Sequence, residues 1–320
     1  MEGVMMKSPT GIAMAVRRAD GNIVAEYKDF STKAKKGTFW GLPIVRGCVA
    51  FVESLATGIK TTTQSANMYG ADAFAEEEPT KFEKWLSKTF GKDIEDIVIG
   101  VALFLGILLA IGLFVFLPQL ISSLLFGEGK SVWRSLVEGV LRVAIYIGYL
   151  FACSSIKEMK RLFMYHGAEH KCINCIEHGL ELNVENVRKS SKEHKRCGTS
   201  FLLFVMVVSI VFFLFIRTPD PVMRIVIRLL LIPVVAGVSY EFIRLAGLYD
   251  NKLVDVLSKP GLALQGLTTR EPDDAQIEVG IASVEAVFNW KKYLNENFGA
   301  HYVLTDVDEP KGGKELYTLR

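Results

Sequence analysis

An uncharged apolar run from Ile97 to Phe126 limits, more than any other feature, what this chain of 320 residues can fold into. The run is longer than the roughly 20 residues that a helix needs to cross about 30 Å of hydrocarbon. Pro118 lies inside it, so we expect a kink or a helix-break-helix at that point. The run therefore predicts a membrane-spanning segment.

Three further apolar runs follow, over residues 132–156, 198–216 and about 222–240. The run 198–216 is uncharged, whereas the other two carry charges and are also consistent with partly buried helices. In the second run Arg134, Glu138 and Arg142 are four residues apart and share one helical face. The four runs predict a mainly α-helical, polytopic membrane protein with about four transmembrane helices.

The composition adds soluble regions to these helices and excludes some functions. Hydrophobic residues make up 50% of the chain, yet 22% of residues are charged, close to the average of globular proteins. The net charge of +2 predicts that nucleic acid is not a partner. Because the start lacks a secretory leader, we expect reduced thiols in place of a disulfide framework.

Lysine and arginine are concentrated in residues 157–197, and the positive-inside rule places this segment in the cytoplasm. An even number of crossings then places both termini there as well. We therefore predict a cytoplasmic N-terminal region (1–95), a cytoplasmic His/Cys-rich loop (157–197) and a cytoplasmic C-terminal region (247–320). Two pairs of transmembrane helices, 96–156 and 198–246, separate these regions.

The N- and C-terminal regions carry patterns of a small α+β fold. Asp20-Gly21 lies between Ala13–Val16 and Ile23–Tyr27 and predicts a β-hairpin. Residues 43–68 show helical spacing of apolar side chains, so this amphipathic helix packs on the core or lies on the membrane surface, with packing favoured. Pro272 and the acids after it open another predicted helix, from Ile277 to about Leu294.

Four of the five histidines and three of the five cysteines fall between His166 and Cys197. His166 and His170 are four residues apart, which on a helix suits two imidazoles on one metal ion. Glu169 completes an H-x-x-E-H pattern, the inverted order of a zinc-protease motif, in which the glutamate activates a metal-bound water. The alternative is a pair of histidines that hydrogen-bond to neighbouring carboxylates.

A second set of residues competes for the same ion. Cys172 and Cys175 form a C-x2-C pair, and His194 and Cys197 follow with the spacing of a structural zinc site. Four such ligands would leave no position for a substrate. A redox pair, or two cysteines that merely fill space in the core, are the other interpretations.

The predicted topology places His194 and Glu241 at the same membrane face as His166 and His170. Either residue is therefore a candidate to complete the metal ligands. A carboxylate in an apolar helix is costly unless it is paired or ligating, so Glu241 is alternatively a partner of Arg244.

Motifs along nearly the whole chain resemble the YqhQ-like family, bacterial membrane proteins of unknown function. They are Glu2-Gly3-Val4-Met5-Met6, Arg46-Gly47, Tyr165–Lys171, Arg196–Phe201, Tyr240-Glu241 and Gln265–Pro272. The family is described as predicted metal-dependent enzymes, so the resemblance implies a divalent metal, most simply zinc, and an inner-membrane location. Because the Cys172 and Cys175 pair is not part of the family pattern, the resemblance favours a site at His166, Glu169 and His170.

The other matched positions are candidate contacts to a substrate or an anion. Gln265, Thr268, Thr269 and Glu271 either cap the helix that follows them or fold over the histidine cluster. Arg46 and Arg196 either bind an anionic headgroup at the lipid bilayer or pair with acids at the surface.

Together these features predict a metal-dependent membrane hydrolase, in which Glu169 is the catalytic base and the substrate is unknown. A homo-oligomer is compatible with this function. The alternative is a transporter, channel or oligomeric scaffold, because Arg134, Glu138, Arg142 and Arg228 lie inside apolar helices. A redox-sensing module built on Cys172 and Cys175 is a third hypothesis.

Overall fold

A computed structural model describes residues 2–69, 94–127, 132–216, 218, 220–249, 252–305 and 317–319. The strands are β1 (Gly3–Lys7), β2 (Gly11–Arg17), β3 (Ile23–Asp29) and the short β4 (Tyr317–Leu319). The helices are α1 (Val45–Tyr69), α2 (Ile94–Ile111), α3 (Leu117–Phe126), α4 (Val132–Ser155), α5 (Lys157–Glu177), α6 (Val184–Lys189), α7 (Gly198–Leu214), α8 (Pro221–Ala246), α9 (Lys252–Thr268), α10 (Asp274–Val287) and α11 (Trp290–Phe298). The prediction of a mainly helical chain is confirmed.

The chain divides into two compact units. The first comprises Met1–Ala73, Leu150–Val205 and Pro233–Arg320, and the second comprises Phe74–Tyr149 and Met206–Ile232. Each unit is discontinuous in sequence, because α4, α7 and α8 each contribute residues to both. All the predicted site residues belong to the first unit.

Three helical stretches of the described residues are long and apolar enough to cross a membrane. They are Val98–Phe126, Trp133–Ser155 and Val222–Ala246. The fourth predicted crossing forms α7, which is apolar but only 17 residues long. A helix of that length measures about 26 Å, short of about 30 Å of hydrocarbon. The described part of the chain thus contains three membrane-length helices, and the fourth crossing stays a prediction.

The irregularity predicted at Pro118 takes the form of a π-helical turn, Gly112–Phe116, between α2 and α3. Proline has no backbone N–H, so Pro118 cannot donate the usual helical hydrogen bond to the carbonyl of Phe114. The Nε of Arg142 on α4 donates to that carbonyl instead, at 2.7 Å. Arg142, a charged residue of the second apolar run, therefore supplies a hydrogen-bond donor that is missing from the helix of the first apolar run.

The charges inside the second unit bind one another. The carboxylate of Glu138, 1% exposed, accepts hydrogen bonds from Arg142 at 3.1 Å and from Nη2 of Arg228 at 2.9 Å. The ring of Phe213 lies 4.9 Å from one guanidinium and 5.0 Å from the other. The face predicted to carry Arg134, Glu138 and Arg142 is therefore turned inward, where all three side chains are buried.

In the first unit an antiparallel sheet packs on α10. The strand order is β1-β2-β3-β4, with Gly3 opposite Val16 and Gly11 opposite Asp29. The predicted hairpin turns at Asp20 and Gly21, where Gly21 has a φ of 87° that favours glycine. β1, which the sequence pattern does not predict, pairs with β2.

The C-terminal helix predicted over residues 277–294 is two helices, α10 and α11. Asp273 and Gln276 form a capping box at the start of α10. The chain is extended at Phe288, and Asn289 caps α11 by accepting from the N–H of Lys292 at 2.9 Å. The segment predicted as a loop at 157–197 likewise contains two helices, α5 and α6. The acidic, turn-like stretch at 76–79, which the sequence predicts to be a solvated linker, lies outside the described residues.

The carboxylate of Glu2 ties the start of the sheet to α5. It accepts hydrogen bonds from Arg161 at 2.5 Å and from the hydroxyl of Tyr165 at 2.7 Å. Burial by itself raises the pKa of Glu2, but the hydrogen bonds from Arg161 and Tyr165 outweigh this effect and hold the pKa below its ordinary value. The bonded carboxylate therefore contributes stability above the unfolded-state pKa, and this contribution is lost as the pH falls through the lower folded-state pKa.

We expect Glu2→Gln to lower the free energy of unfolding by about 1 kcal/mol near neutral pH, because the pair is partly exposed. The difference from the unchanged protein should shrink as the pH falls below the ordinary carboxyl pKa and through the lower folded-state pKa of Glu2. Thermal unfolding in detergent over this pH range measures it. Glu158→Gln, on an exposed position of α5, is the control. Parallel pH curves for the Glu2 variant and the unchanged protein would contradict the assignment.

Candidate metal centre

Polar side chains of α5 donate hydrogen bonds to the backbone carbonyls of the segment 188–193 and fix its position. The buried ammonium of Lys171 donates to the carbonyls of Arg188 at 2.9 Å and Ser190 at 2.8 Å. The amide of Asn174, one turn further along α5, donates to two more carbonyls of this segment. Since buried carbonyls need partners, these bonds let an irregular segment pack tightly against the helix that carries the histidines.

His166 and His170 lie on one face of α5, with their ring centroids 4.4 Å apart. The Nδ1 of His166 is 2.8 Å from the carbonyl oxygen of Thr268, and the Nδ1 of His170 is 2.7 Å from that of Lys192. A carbonyl only accepts hydrogen bonds, so each Nδ1 carries the proton and each Nε2 has a lone pair that can accept a hydrogen bond or bind a metal ion. This arrangement orients an imidazole for binding a metal through Nε2.

Cys197 brings a sulfur atom to the two histidines. Its Sγ lies 3.3 Å from the Nε2 of His166, and the ligand atoms of His166, His170 and Cys197 all lie within 4.8 Å of one another. Zinc–nitrogen bonds of about 2.0–2.1 Å and zinc–sulfur bonds of about 2.3 Å separate tetrahedral ligand atoms by roughly 3.3–3.7 Å. The Sγ–Nε2 distance falls within this range, whereas the 4.8 Å limit for the set exceeds it, so the three side chains would have to move closer together to bind one ion.

A cavity of about 590 Å³ opens beside these three residues. Glu169 lines it together with the two histidines and Cys197, whereas Ile173, Val284 and Phe288 form part of its apolar wall. Burial raises the pKa of Glu169 above its ordinary value, and His166 acts in the opposite direction. The cavity thus joins a carboxylate, three metal-binding atoms and an apolar surface.

The structure brings His194 close to the group but engages both of its ring nitrogens. Its ring centroid is 5.8 Å from that of His170. The Nε2 of His194 is 3.1 Å from a carboxylate oxygen of Glu177, and its Nδ1 accepts from the backbone N–H of Arg196 at 3.4 Å. His194 therefore forms part of the cavity wall, and the group of three possible ligands among the described residues contains Cys197 beside His166 and His170, not His194 or Glu241.

Glu241 forms an ion pair instead. Its two carboxylate oxygens accept hydrogen bonds from Arg46 at 2.6 and 2.5 Å, and Arg244 lies 3.6 Å away. Arg196 is likewise paired, with Glu177. Both arginines predicted as anion contacts thus have carboxylate partners, as in the alternative interpretation of the sequence.

Cys172 and Cys175 lie in the hydrophobic core, together with Ile277 and Leu294. Among the described residues, no group of three metal-binding side chains contains either cysteine, so the predicted four-ligand set is not formed. The reason is that α5 continues to Glu177. On a helix these two side chains point about 200° and 140° away from His170. Burial also raises the pKa of both thiols, which disfavours the reactive thiolate.

Four polar residues that the sequence predicts as contacts to a substrate or an anion instead support the backbone around the histidines. They are Gln265, Thr268, Thr269 and Glu271. Gln265, fully buried, accepts from the N–H of His194 at 2.9 Å and donates to its carbonyl at 2.8 Å. Thr268 supplies the carbonyl that binds His166, and the hydroxyl of Thr269 donates to the carbonyl of Gln265 at 2.8 Å. Glu271 lies 3.0 Å from the ammonium of Lys171. These residues hold the site together from the end of α9.

The roles of Lys171 and Asn174 in the site are not among those predicted from the sequence. The available signal was their spacing, because Gly167, Lys171 and Asn174 form an i, i+4, i+7 stripe on a helix that carries the proposed ligands. Buried polar residues at helical spacing indicate a face that is packed against irregular backbone.

Gly167 allows the segment after α9 to approach α5 closely. A Cβ atom at this position would lie 2.0 Å from the carbonyl oxygen of Arg270, whose N–H donates to the carbonyl of Phe163 at 2.9 Å. We expect Gly167→Ala to lower the free energy of unfolding by about 1–3 kcal/mol, because backbone must move. Thermal unfolding measures this effect. Gly266→Ala, an exposed α9 position with open space above it, should instead stabilise the protein by up to about 1 kcal/mol. Equal effects would contradict this assignment.

Comparisons with known proteins place the chain in a family. The family model described as "Protein of unknown function (DUF1385)" matches residues 42–290. The uncharacterized protein YqhQ of Bacillus subtilis (strain 168) is 35% identical over 305 residues, which cover 93% of this chain and 93% of the relative. No solved structure matches the chain. The resemblance seen in the sequence motifs is thus confirmed, and the chain belongs to the DUF1385 family.

Proposed function

We propose that this protein is a metal-dependent hydrolase of the membrane, with a divalent ion held by His166, His170 and Cys197. The observation that carries the proposal is the convergence of one ring nitrogen each of His166 and His170 and the sulfur of Cys197 within 4.8 Å, at the wall of a cavity. The backbone carbonyls behind both imidazoles support it, because such partners accompany metal-binding histidines.

Zinc is the ion that best fits this set of donors. Two nitrogens and one sulfur suit a borderline-soft cation, whereas magnesium and calcium prefer oxygen. Catalytic zinc sites have three protein ligands and keep the fourth position open, and three side chains are what this site offers. A zinc ion so bound polarises a substrate oxygen and lowers the pKa of water toward neutrality.

Glu169 is the residue we assign to proton transfer. Its carboxylate lines the same cavity as the proposed ligands, and it precedes His170 directly in the chain. A carboxylate at this place can accept the proton that water loses as it attacks, and can return that proton to the leaving group. Glu177 pairs with Arg196 and hydrogen-bonds to His194, and these contacts position the segment bearing Cys197.

The proposed location is the cytoplasmic face of the bacterial inner membrane. The three membrane-length helices support a membrane protein, and the basic residues of 157–197 support a cytoplasmic site by the positive-inside rule. The substrate is an amphiphile or a peptide, because the cavity wall has polar and apolar parts.

Cobalt substitution tests the proposal without knowledge of the substrate. Purified protein loaded with Co²⁺ should show the intense visible bands of a four-coordinate ion and a thiolate charge-transfer band. Added azide should shift the visible bands, because the fourth position exchanges with solvent. Cys197→Ser should lose the charge-transfer band, whereas Cys153→Ser should keep it. A spectrum that azide leaves unchanged would indicate a closed structural ion, and the absence of Co²⁺ binding would remove the proposal.

The residues that suggested a transporter or a redox-sensing module are arranged in a way that favours neither hypothesis. Glu138, Arg142 and Arg228 are bound to one another inside the second unit, which disfavours their use as the lining of a transport path. Cys172 and Cys175 are buried with raised pKa values, which disfavours a redox sensor.

A further inference from the structure

A second cavity, of about 320 Å³, lies between α1 and α5 and reaches the proposed metal centre. We call it the α1–α5 groove. Most of its wall is apolar, with Val4, Met5, Met14, Leu162 and Phe163 among the lining residues. His166 and Glu169 line this groove and also the larger cavity. An apolar passage therefore ends at the two side chains to which we assign the chemistry.

The outer side of α1 carries an exposed apolar row. Val52 is 62% exposed, Leu55 53% and Ile59 38%, and they are spaced as neighbours on one helical face. The segment before α1 adds Phe39 and Trp40, which are 66% and 54% exposed. Large apolar side chains in a continuous exposed row mark a surface that contacts lipid or protein.

The start of α1 packs against a membrane-length helix, which favours lipid over protein as the contact of the exposed row. A Cβ atom at Gly47 would lie 2.8 Å from the Cα of Gly237, and the thiol of Cys48 donates to the carbonyl of Pro233 at 2.9 Å. Pro233 and Gly237 lie within the span Val222–Ala246. The start of α1 thus lies beside the membrane-spanning part of α8, and its exposed apolar row continues that surface.

Ser65 gives an independent indication of a ligand in the groove. Its side chain lines the groove and is 3% exposed, and its hydroxyl has no hydrogen-bond partner among the described residues. A buried hydroxyl without a partner is costly, so it normally binds a group that supplies the missing hydrogen bond. Nothing lies within 4 Å of the position that a Cβ atom would take at Gly58, one of the four α1 residues in the groove wall.

We infer that the α1–α5 groove takes an acyl chain of a membrane lipid, and that the substrate of the hydrolase is a lipid-borne amphiphile. The reaction in this inference rests on the proposed function, whereas the class of ligand rests on the groove alone. The acyl chain lies along the apolar wall, Ser65 binds a polar group of the lipid, and the hydrolysable bond reaches His166 and Glu169. Water supplies a hydroxyl group to the cleaved centre and a proton to the leaving group.

Photolabelling of the full chain in vesicles of phosphatidylethanolamine and phosphatidylglycerol tests the inference. The probe is a phosphatidylcholine with a diazirine on its acyl chain, and mass spectrometry locates the labelled peptides. We expect labels on the lining residues of β1 and α5, such as Met5 and Leu162. Gly58→Phe fills the groove and should reduce these labels by about tenfold or more. Ala56→Phe, on the exposed side of the same helix, is the matched control and should leave them unchanged.

Labels confined to the membrane-spanning helices, or groove labels that persist in Gly58→Phe, would overturn the inference. Measuring the zinc content of each sample distinguishes failure of the lipid inference from failure of the proposed function. Zinc retained with an unlabelled groove contradicts the lipid substrate alone. A labelled groove in a protein that binds no zinc contradicts the hydrolase and leaves the lipid-binding groove standing.

Discussion

The His170→Ala variant is expected to leave purification with less than about a tenth of the zinc bound by the unchanged protein. Loss of even an outer partner of a metal ligand costs about 10–100-fold in metal affinity, and loss of one of three protein ligands costs more. His170 is 3% exposed and its Nδ1 is fixed by a backbone carbonyl, so no neighbouring side chain can swing into its place without breaking that packing. Elemental analysis of protein purified in zinc-containing buffer gives the stoichiometry.

His178→Ala is the matched control for this experiment. His178 lies at the end of the same helix, is exposed, and hydrogen-bonds to the carbonyl of Asn174 at 2.7 Å. We expect this variant to keep its zinc. Equal zinc contents in the His170 and His178 variants would contradict the metal centre, even if both proteins fold normally.

The largest effect on stability is expected for Glu138→Gln. The carboxylate of Glu138 is shared by Arg142 and Arg228, and removal of its charge leaves two buried guanidinium groups without a counter-charge. Breaking a buried pair by changing one partner costs about 3–5 kcal/mol. The environment is apolar on several sides, with Phe213 against both guanidinium groups. Thermal or denaturant unfolding in detergent micelles measures the loss.

Glu185→Gln provides the comparison at the surface. Glu185 pairs with Lys189 within α6, and both side chains are exposed, so solvent screens the pair and the change should leave the unfolding transition nearly unaltered. A Glu138 variant as stable as the Glu185 variant would show that the buried charges do not depend on one another. In that case the transporter hypothesis, which needs charges that water can reach, would regain support.

Hydrophobic runs predicted the helices of this chain well because hydropathy is a local property. The run from Ile97 ends with α3 at Phe126, and the run 132–156 is almost coextensive with α4. The hairpin at Asp20-Gly21 and the amphipathic helix α1 were also predicted, since each has a strong local signal. β1 was missed because its five residues carry no turn signal of their own and gain their order from β2.

The site was predicted only in part, because ligand spacing in sequence does not say which way side chains point. His166 and His170 were identified from their helical spacing. The spacing groups Cys197 with Cys172 and Cys175, because no local pattern indicates that α5 extends to Glu177 and turns those two cysteines into the core. The ion pair of Glu241 with Arg46 joins residues 195 positions apart, which no local pattern reveals.

The carbonyl of Phe114, bound by Arg142, has a consequence for how the chain enters a bilayer. In hydrocarbon an unbonded carbonyl costs several kcal/mol, and Pro118 guarantees that the first apolar helix carries one for as long as it is alone. The second apolar helix, in turn, brings a guanidinium that is costly to insert without acceptors. Each segment thus offsets the insertion cost of the other, which favours their partition from the translocon into lipid as a pair.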